Sequence, residues 1–230
     1  MMISPETYYE FELKGKSVED IQAEIDSLKE QIAELKYKME DPDYIPEMIC
    51  PSDDTVLYWT REYLAMAIKA LKESGGKYEM DEEDKRAAEF QNNLPYLTRI
   101  EFNYGGYGPF DPIIIECDKE ILKWSESLNL FPTFDAETPR TRTELLSKIR
   151  ELHLEEWQTE YWPDKYGLHV LDGIQWELEL EYSNGHEPWK AFGSNAYPFS
   201  FKGLMAMMGE NDWPFEDDDD DDEPNEDDRN

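Results

Sequence analysis

Acidic side chains are the residues of this sequence whose spacing most directly suggests a chemistry. Glu177, Glu179 and Glu181 alternate with apolar residues, and positions 216–223 are eight consecutive acids. Carboxylates two residues apart on a strand lie on one face of a sheet. Together they predict a negative surface that attracts a basic partner, and the alternative is that they only keep the chain soluble. The residues predicted to bind are Glu177, Glu179, Glu181, Ser194, Asn195, Glu216, Asp217, Asp218, Asp219, Asp220, Asp221, Asp222 and Glu223.

The charge of the whole chain agrees with this interpretation. The 230 residues include 55 acids and 22 bases, for a net charge of −33. Residues 210–230 contain 13 acids and one arginine, a net of −12, which leaves −33 − (−12) = −21 for residues 1–209. This excludes a nucleic-acid binder that works through a basic face. Since 39% of residues are hydrophobic and 13% aromatic, a wholly disordered chain is also excluded.

Residues that could support catalysis are few and scattered. A small enzyme would have to assemble its site from His153, His169, Asp172 and Cys117, which are distant in sequence. His153 and Glu156 are three residues apart on a predicted helix, but a metal site needs three or four ligands. We therefore predict no metal and no cofactor. An enzyme with a site near His153, His169 and Asp172 remains an alternative.

Ser194 and Asn195 also have a second interpretation. They lie in a bend, Gly193-Ser194-Asn195, that follows the last predicted strand. Serine and asparagine side chains in bends often bond to nearby backbone amides. Their role is therefore either structural or binding.

The elements that must position these residues begin with a predicted helical hairpin. Ser17 and Ser52 are placed to begin two helices, and Pro42 and Gly75 follow their ends. The first helix carries a heptad seam with alternating spacings of three and four: Val18, Ile21, Ile25, Leu28, Ile32, Leu35 and Met39. The seam either packs against the second helix or forms a homodimer contact. A third, short helix is predicted over 81–92.

The C-terminal half is predicted to contain two strand pairs, each followed by a helix. The first pair is 100–104 with 113–115, with a further strand near 122 and a helix over 141–162. The second pair is 176–182 with 189–192, joined through Asn184-Gly185, a hairpin signal, and followed by a helix over 201–208.

The predicted fold class is therefore α+β, with an N-terminal helical hairpin followed by an antiparallel sheet built from two strand–strand–helix units. The predicted divisions are a helical region at 1–94, a sheet region at 95–209 and a disordered acidic tail at 210–230. The predicted function is an acidic non-enzymatic protein that binds the basic surface of another protein. Its most specific form is a nucleic-acid mimic that inhibits a nuclease or a defence system; a scaffold that uses the heptad hairpin is the alternative.

Several stretches resemble an uncharacterised bacterial family common in gut-type genomes. They are Leu152–Trp157, Val170–Leu178, Tyr182–His186, Gly193–Pro198, Ile3–Tyr9 and Ile49–Ser52. The resemblance implies a shared fold and a cytoplasmic bacterial setting, and it implies no reaction and no catalytic residues. The acidic tail is not part of the family pattern.

The sequence also bears on location. No run of 18 apolar residues is present, and the N-terminus has no basic start followed by an apolar run, so neither a membrane span nor a signal peptide is expected. Cys50 and Cys117 are expected to be reduced thiols. We therefore predict a cytoplasmic protein that binds neither nucleic acid nor membrane directly, as a monomer or homodimer.

Overall fold

The computed structural model describes residues 2–46, 50–106, 111–125, 136–170 and 173–209, and its architecture is α+β, as predicted. The helices are α1 (Pro5–Tyr8), α2 (Val18–Met39), α3 (Asp53–Glu73), α4 (Glu82–Asn93), α5 (Arg142–Glu151) and α6 (Phe201–Met207). The strands are β1 (Leu97–Gly105), β2 (Ile113–Glu116), β3 (Lys123–Trp124), β4 (Glu160–Tyr161), β5 (Gln175–Tyr182) and β6 (Trp189–Ser194).

Helices α2 and α3 form the predicted hairpin. The hydroxyls of Ser17 and Ser52 accept hydrogen bonds from the backbone amides of Asp20 and Thr55, which satisfies donors that an uncapped helix leaves free. The heptad residues of α2 share one hydrophobic cluster with the inner residues of α3: Ile21, Ile25, Leu28, Ala67, Ala70 and Leu71. Much of the seam is therefore covered by α3 of the same chain.

The N-terminus forms a short helical segment that was not predicted from the sequence. Helix α1 is capped by Ser4 and continues into a π-helical turn over Tyr9–Leu13. The ring of Tyr8 stacks on that of Tyr63 in α3, with ring centroids 4.2 Å apart. This short segment extends the apolar cluster of the hairpin, so it packs as part of that region.

The six strands form one sheet in the order β3-β2-β1-β5-β6-β4. All neighbouring pairs are antiparallel except β4 with β6, which is parallel. The first strand–strand–helix unit supplies β1, β2, β3 and α5, and the second supplies β5, β6 and α6, as predicted. The edge strand β4 was not predicted.

One face of the sheet is buried. Its core includes Phe102 of β1, Trp176 of β5 and Phe201 of α6, and the Trp176 and Phe201 ring centroids lie 4.9 Å apart. Phe90 and Leu94, at the end of α4, also belong to this core. The end of the third helix therefore packs with the sheet, while at its start Asp81 and Asp84 form ion pairs with Lys29 of α2 in the hairpin.

The helix predicted over 141–162 is wrong in length. Helix α5 ends at Glu151, and His153 adopts a left-handed conformation with φ 52°. A left-handed residue cannot continue a right-handed helix. Trp157 is then buried in the core of the sheet, where its Nε1 donates to Ser200 Oγ at 2.9 Å. The rest of the predicted helix becomes a short 3-10 turn and the edge strand β4.

Across the described ranges, no helix is both long enough and apolar enough to cross a bilayer.

Candidate functional site

The outer face of the sheet, opposite the helices, carries the three predicted acidic residues that the structure describes, Glu177, Glu179 and Glu181. Register across the strands places six glutamates on this face: Glu101, Glu116, Glu160, Glu177, Glu179 and Glu181. The same register places three cations there: Arg99, Lys123 and Lys190. We call this surface the acidic face. Carboxylates outnumber cations on it, so it attracts positive charge.

Ion pairs neutralise part of the acidic face. Arg99 bridges the two central strands, with its Nη1 2.6 Å from Glu181 and its Nη2 2.5 Å from Glu101. Lys190 Nζ lies 2.8 Å from Glu179. These partly exposed pairs join β1 to β5 and β5 to β6, and such ion pairs contribute only about 0–1 kcal/mol each to stability.

Glu177 is the member of the predicted acidic ladder that forms no ion pair within the described ranges. Within the described ranges, no lysine, arginine or histidine forms an ion pair with it. Its position in the register is opposite Asn103 of β1 and Phe192 of β6, and neither of these is a cation. The negative charge of Glu177 is one of the causes that raise the pKa of Lys190, after the hydrogen bond and charge of Glu179. The carboxylate is therefore available to a positive group from outside the chain.

A cavity of about 560 Å³ opens beside Glu177, at the end of the acidic face. Side chains from β1, β5 and β6 line it together with Trp162, which follows β4: Asn103, Trp162, Gln175, Glu177, Phe192 and Ser194. Gly105 lies opposite Gln175 in the register and has no side chain to fill this space. The volume falls within the range of about 300–1,000 Å³ that is common for ligand sites.

Two aromatic rings form one wall of the cavity. Trp162 and Phe192 meet edge to face, with ring centroids 6.0 Å apart and planes at 78°. Trp162 is 47% exposed, and its Nε1 donates to Glu160 Oε2 at 3.1 Å. Aromatic faces attract cations, and a nearby carboxylate strengthens that attraction. The cavity thus combines a free carboxylate, an aromatic wall and polar side chains.

Ser194 and Asn195, the predicted non-acidic binding residues, have different roles. Ser194 lines the cavity. Asn195 instead adopts a left-handed conformation, and its Oδ1 accepts a hydrogen bond from Ile174 N at 2.9 Å. A Cβ on Gly173 would lie 1.8 Å from that oxygen, so the turn requires glycine. This contact supports the structural interpretation of Asn195 that the sequence left open.

Gly193 and Ala196 are also explained by packing. The indole of Trp176 donates to the carbonyl of Ala196 at 2.9 Å and lies against Gly193, where a Cβ would come within 2.6 Å of its Nε1. Residues 193–196 and 173–176 are thus joined by hydrogen bonds and close packing, and these contacts fix the position of the cavity's edge.

A second cluster joins the helical hairpin to the sheet region. Arg61 of α3 donates through Nε and Nη2 to both oxygens of Glu156, at 2.9 and 2.7 Å, and Lys36 Nζ lies 3.5 Å away. Burial by itself would raise the pKa of Glu156, but the hydrogen bonds and charge of Arg61 outweigh it and lower that pKa. Glu156 therefore stays ionised at neutral pH and anchors the hairpin.

His153 belongs to the same cluster. Its Nδ1 lies 3.2 Å from Glu155 and 3.7 Å from Glu156, and the three side chains offer ligand atoms within 4.8 Å of one another. Such a set could hold a divalent cation. The cations Arg61 and Lys36 already compensate Glu156, however, and a metal ion there would have to compete with them.

The other residues of the enzyme alternative lie apart from this cluster or outside the description. His169 is exposed and its Nδ1 lies 3.3 Å from Asp164. Burial raises the pKa of the Cys117 thiol to about 11, which makes it a poor nucleophile at neutral pH. Asp172 and the acidic run 216–223 lie outside the described residues. None of the described candidates lines the cavity.

Trp162, Phe192 and Asn103 were missed as site residues. Phe192 did carry a signal, since it is an aromatic at an outward position of β6, where the alternation calls for a polar residue. Trp162 was missed because the sequence pattern assigned it to the helix predicted over 141–162.

A scan of family models and searches of curated proteins and of solved structures find nothing that matches this chain.

Proposed function

We propose that this protein is an acidic, non-enzymatic binding protein that presents the acidic face of its sheet to a basic surface of another protein. The observation that supports this most is the excess of carboxylates on a sheet face that no described helix covers, where Glu177 forms no ion pair with another described residue. The net charge of −33 adds a long-range attraction for any positive partner. The most specific form of this proposal is a nucleic-acid mimic that occupies the basic groove of a nuclease or defence enzyme.

The proposed setting is the bacterial cytoplasm. Both cysteines are free thiols, which is the state typical of reducing compartments. Membership in the uncharacterised bacterial family is part of the same proposal; the interlocked Gly173–Trp176 and Gly193–Ala196 stretches offer a structural reason for its sequence pattern.

The test compares two triple variants of equal charge. The first is Glu177→Gln, Glu179→Gln and Glu181→Gln on the acidic face. The second is Glu19→Gln, Glu30→Gln and Glu34→Gln, at exposed positions of α2. Both change the net charge from −33 to −33 + 3 = −30. Binding of a basic ribonuclease and of a core histone is measured for each variant by surface plasmon resonance at low and high salt.

The expected result separates the acidic face from the overall charge. The wild-type chain should bind these probes at least about tenfold more tightly at low salt than at high salt. The acidic-face variant should lose about fivefold more affinity than the α2 variant. The interaction between two charges weakens with distance, and the acidic-face carboxylates would lie closest to the bound basic surface. Equal losses would show that only net charge matters, and salt-independent binding would contradict an electrostatic interface.

A further inference from the structure

The cavity beside Glu177 has the chemistry of a site for a single organic cation. A carboxylate lies at one side, an edge-to-face pair of aromatic rings at another, and amide and hydroxyl groups complete the lining. Of the lysines and arginines in the chain, all but Arg229 lie in the described ranges, and none of these lines the cavity. Lys190 feels the charge of Glu177 from outside the cavity, so a positive group inside the cavity would come from a ligand or a partner.

The register explains why these groups meet. Asn103, Glu177, Phe192 and Glu160 occupy one row across four strands of the sheet. Phe192 is thus flanked by a carboxylate on each side. Glu160 accepts a hydrogen bond from the indole of Trp162 and so orients the aromatic wall. Glu177, on the other side of Phe192, lines the cavity.

The polar and aromatic groups of the lining favour a planar cation over a spherical one. A guanidinium is flat, stacks on aromatic rings and carries five N–H donors, whereas an ammonium is compact and strongly hydrated. Glu177, Asn103, Gln175 and Ser194 offer oxygen acceptors around the space. The volume of about 560 Å³ also accommodates the aliphatic part of an arginine side chain.

We infer that this cavity binds the guanidinium group of an arginine side chain that the basic partner inserts between Glu177 and the Trp162–Phe192 wall. This inference rests on the proposed function, because it names the group through which the acidic face recognises its partner. The excess of carboxylates on the acidic face supplies general attraction, and the cavity supplies selectivity for arginine over lysine.

The test uses the full ¹⁵N-labelled chain and single amino-acid probes, so that the multivalent attraction of the acidic tail does not dominate. The probes are Nα-acetyl-arginine amide, Nα-acetyl-lysine amide and Nα-acetyl-citrulline amide, the last a neutral analogue of nearly the same shape. The chain has seven tryptophans, and the indole N–H signal of Trp162 is identified by its loss in Trp162→Phe. The change in the chemical shift of this signal is followed as each probe is added.

The arginine probe should displace the Trp162 signal saturably, with a Kd on the order of 10 mM. The lysine probe should bind about fivefold more weakly, and the citrulline probe should leave the signal unmoved. Glu177→Gln should weaken the arginine probe at least about fivefold, while Glu116→Gln, the same change elsewhere on the acidic face, should alter it by less than about twofold. The remaining indole signals report that each variant is folded.

The outcomes distinguish this inference from the proposed function. Equal binding of arginine and lysine, displacement by citrulline, or equal effects of the two glutamine variants would overturn the arginine site. If basic proteins still bind the acidic face with salt dependence in that case, the proposed function stands. If the arginine probe binds as expected but basic proteins do not bind the acidic face, the proposed function fails and the cavity is a site for a free guanidinium compound.

Discussion

Replacing Arg61 by methionine should lower the free energy of unfolding by about 2 kcal/mol at neutral pH. The two hydrogen bonds from Arg61 to Glu156 are short, and the two side chains are only 16% and 20% exposed. A hydrogen bond to a charged group contributes about 1.5–3 kcal/mol, and removing one partner leaves the other partly buried. Lys36 remains 3.5 Å from Glu156 and offsets part of the loss. The expected change is about 30-fold in the unfolding equilibrium constant.

The effect should depend on pH with a definite sign. The pKa of Glu156 is lowered in the folded chain from its ordinary 4.5. A group with a lowered folded pKa contributes stability above its unfolded pKa and loses it as the pH falls through the folded pKa. The difference between wild type and Arg61→Met should therefore be constant near neutrality and narrow below about pH 4.5.

The assay is urea unfolding followed by far-UV circular dichroism, with Lys14→Met as the matched control. Lys14 and Glu10 also lie 2.7 Å apart, but their side chains are 58% and 55% exposed. The control should cost less than about 0.5 kcal/mol. A double-mutant cycle with Glu156→Gln isolates the pair. If Arg61→Met costs no more than Lys14→Met, or if the difference persists unchanged in acid, the pair does not anchor the hairpin as argued.

Three further predictions concern the turn, the thiols and one histidine. Gly173→Ala should cost about 2 kcal/mol by urea unfolding, because the new Cβ would collide with the carboxamide of Asn195 and break its hydrogen bond to the turn. Cys50 should react quickly with a thiol reagent at neutral pH, whereas Cys117 should react only on unfolding, since it is buried and its thiol pKa is raised to about 11. The hydrogen bond that the His186 imidazole donates to Glu89 of α4 raises the pKa of His186 above 6.5, so His186→Gln should remove stability that is full below pH 6.5 and lost as the pH rises through the folded pKa.

Each of these predictions has a contradicting result. A Gly173→Ala chain as stable as wild type would mean that the turn tolerates a side chain. Two thiols of equal reactivity in the folded chain would contradict the burial of Cys117. A His186→Gln chain whose stability follows the wild-type pH profile would show that this histidine does not couple protonation to folding.

The acidic face could be predicted from sequence because its signal is local. The period of two along Glu177, Glu179 and Glu181 places them on one side of a strand whatever the strand pairs with. The heptad spacing in α2 is a local signal of the same kind. Three helix starts were also predicted, since Ser17, Ser52 and Thr141 cap helices through hydrogen bonds within three residues.

The cavity could not be predicted, because it depends on which strands become neighbours. Trp162 reaches Phe192 only because β4 pairs with β6, and Glu177 reaches Asn103 only because β5 pairs with β1. The left-handed conformation of His153 has no sequence signature of the kind that glycine provides. Because the sequence gives no sign of a break at His153, the periodic pattern of 141–157 predicts a helix that extends to Trp162. This residue, which lines the cavity, was therefore wrongly assigned to a helix.

The acidic face and the cavity depend on the same register, and this links recognition to the fold. A shift of one residue between β5 and β6 would turn Phe192 toward the core and remove the aromatic wall. The bonds from Ile174 to Asn195 and from Trp176 to Ala196 oppose such a shift, because both join the start of β5 to the end of β6. Gly193 allows this close approach, since any side chain there would meet the indole of Trp176. Gly193 and Asn195 therefore act on binding only through the positions of Glu177 and Phe192. Replacing either should both weaken binding of the arginine probe and destabilise the fold, whereas Glu177→Gln should weaken binding of the probe alone.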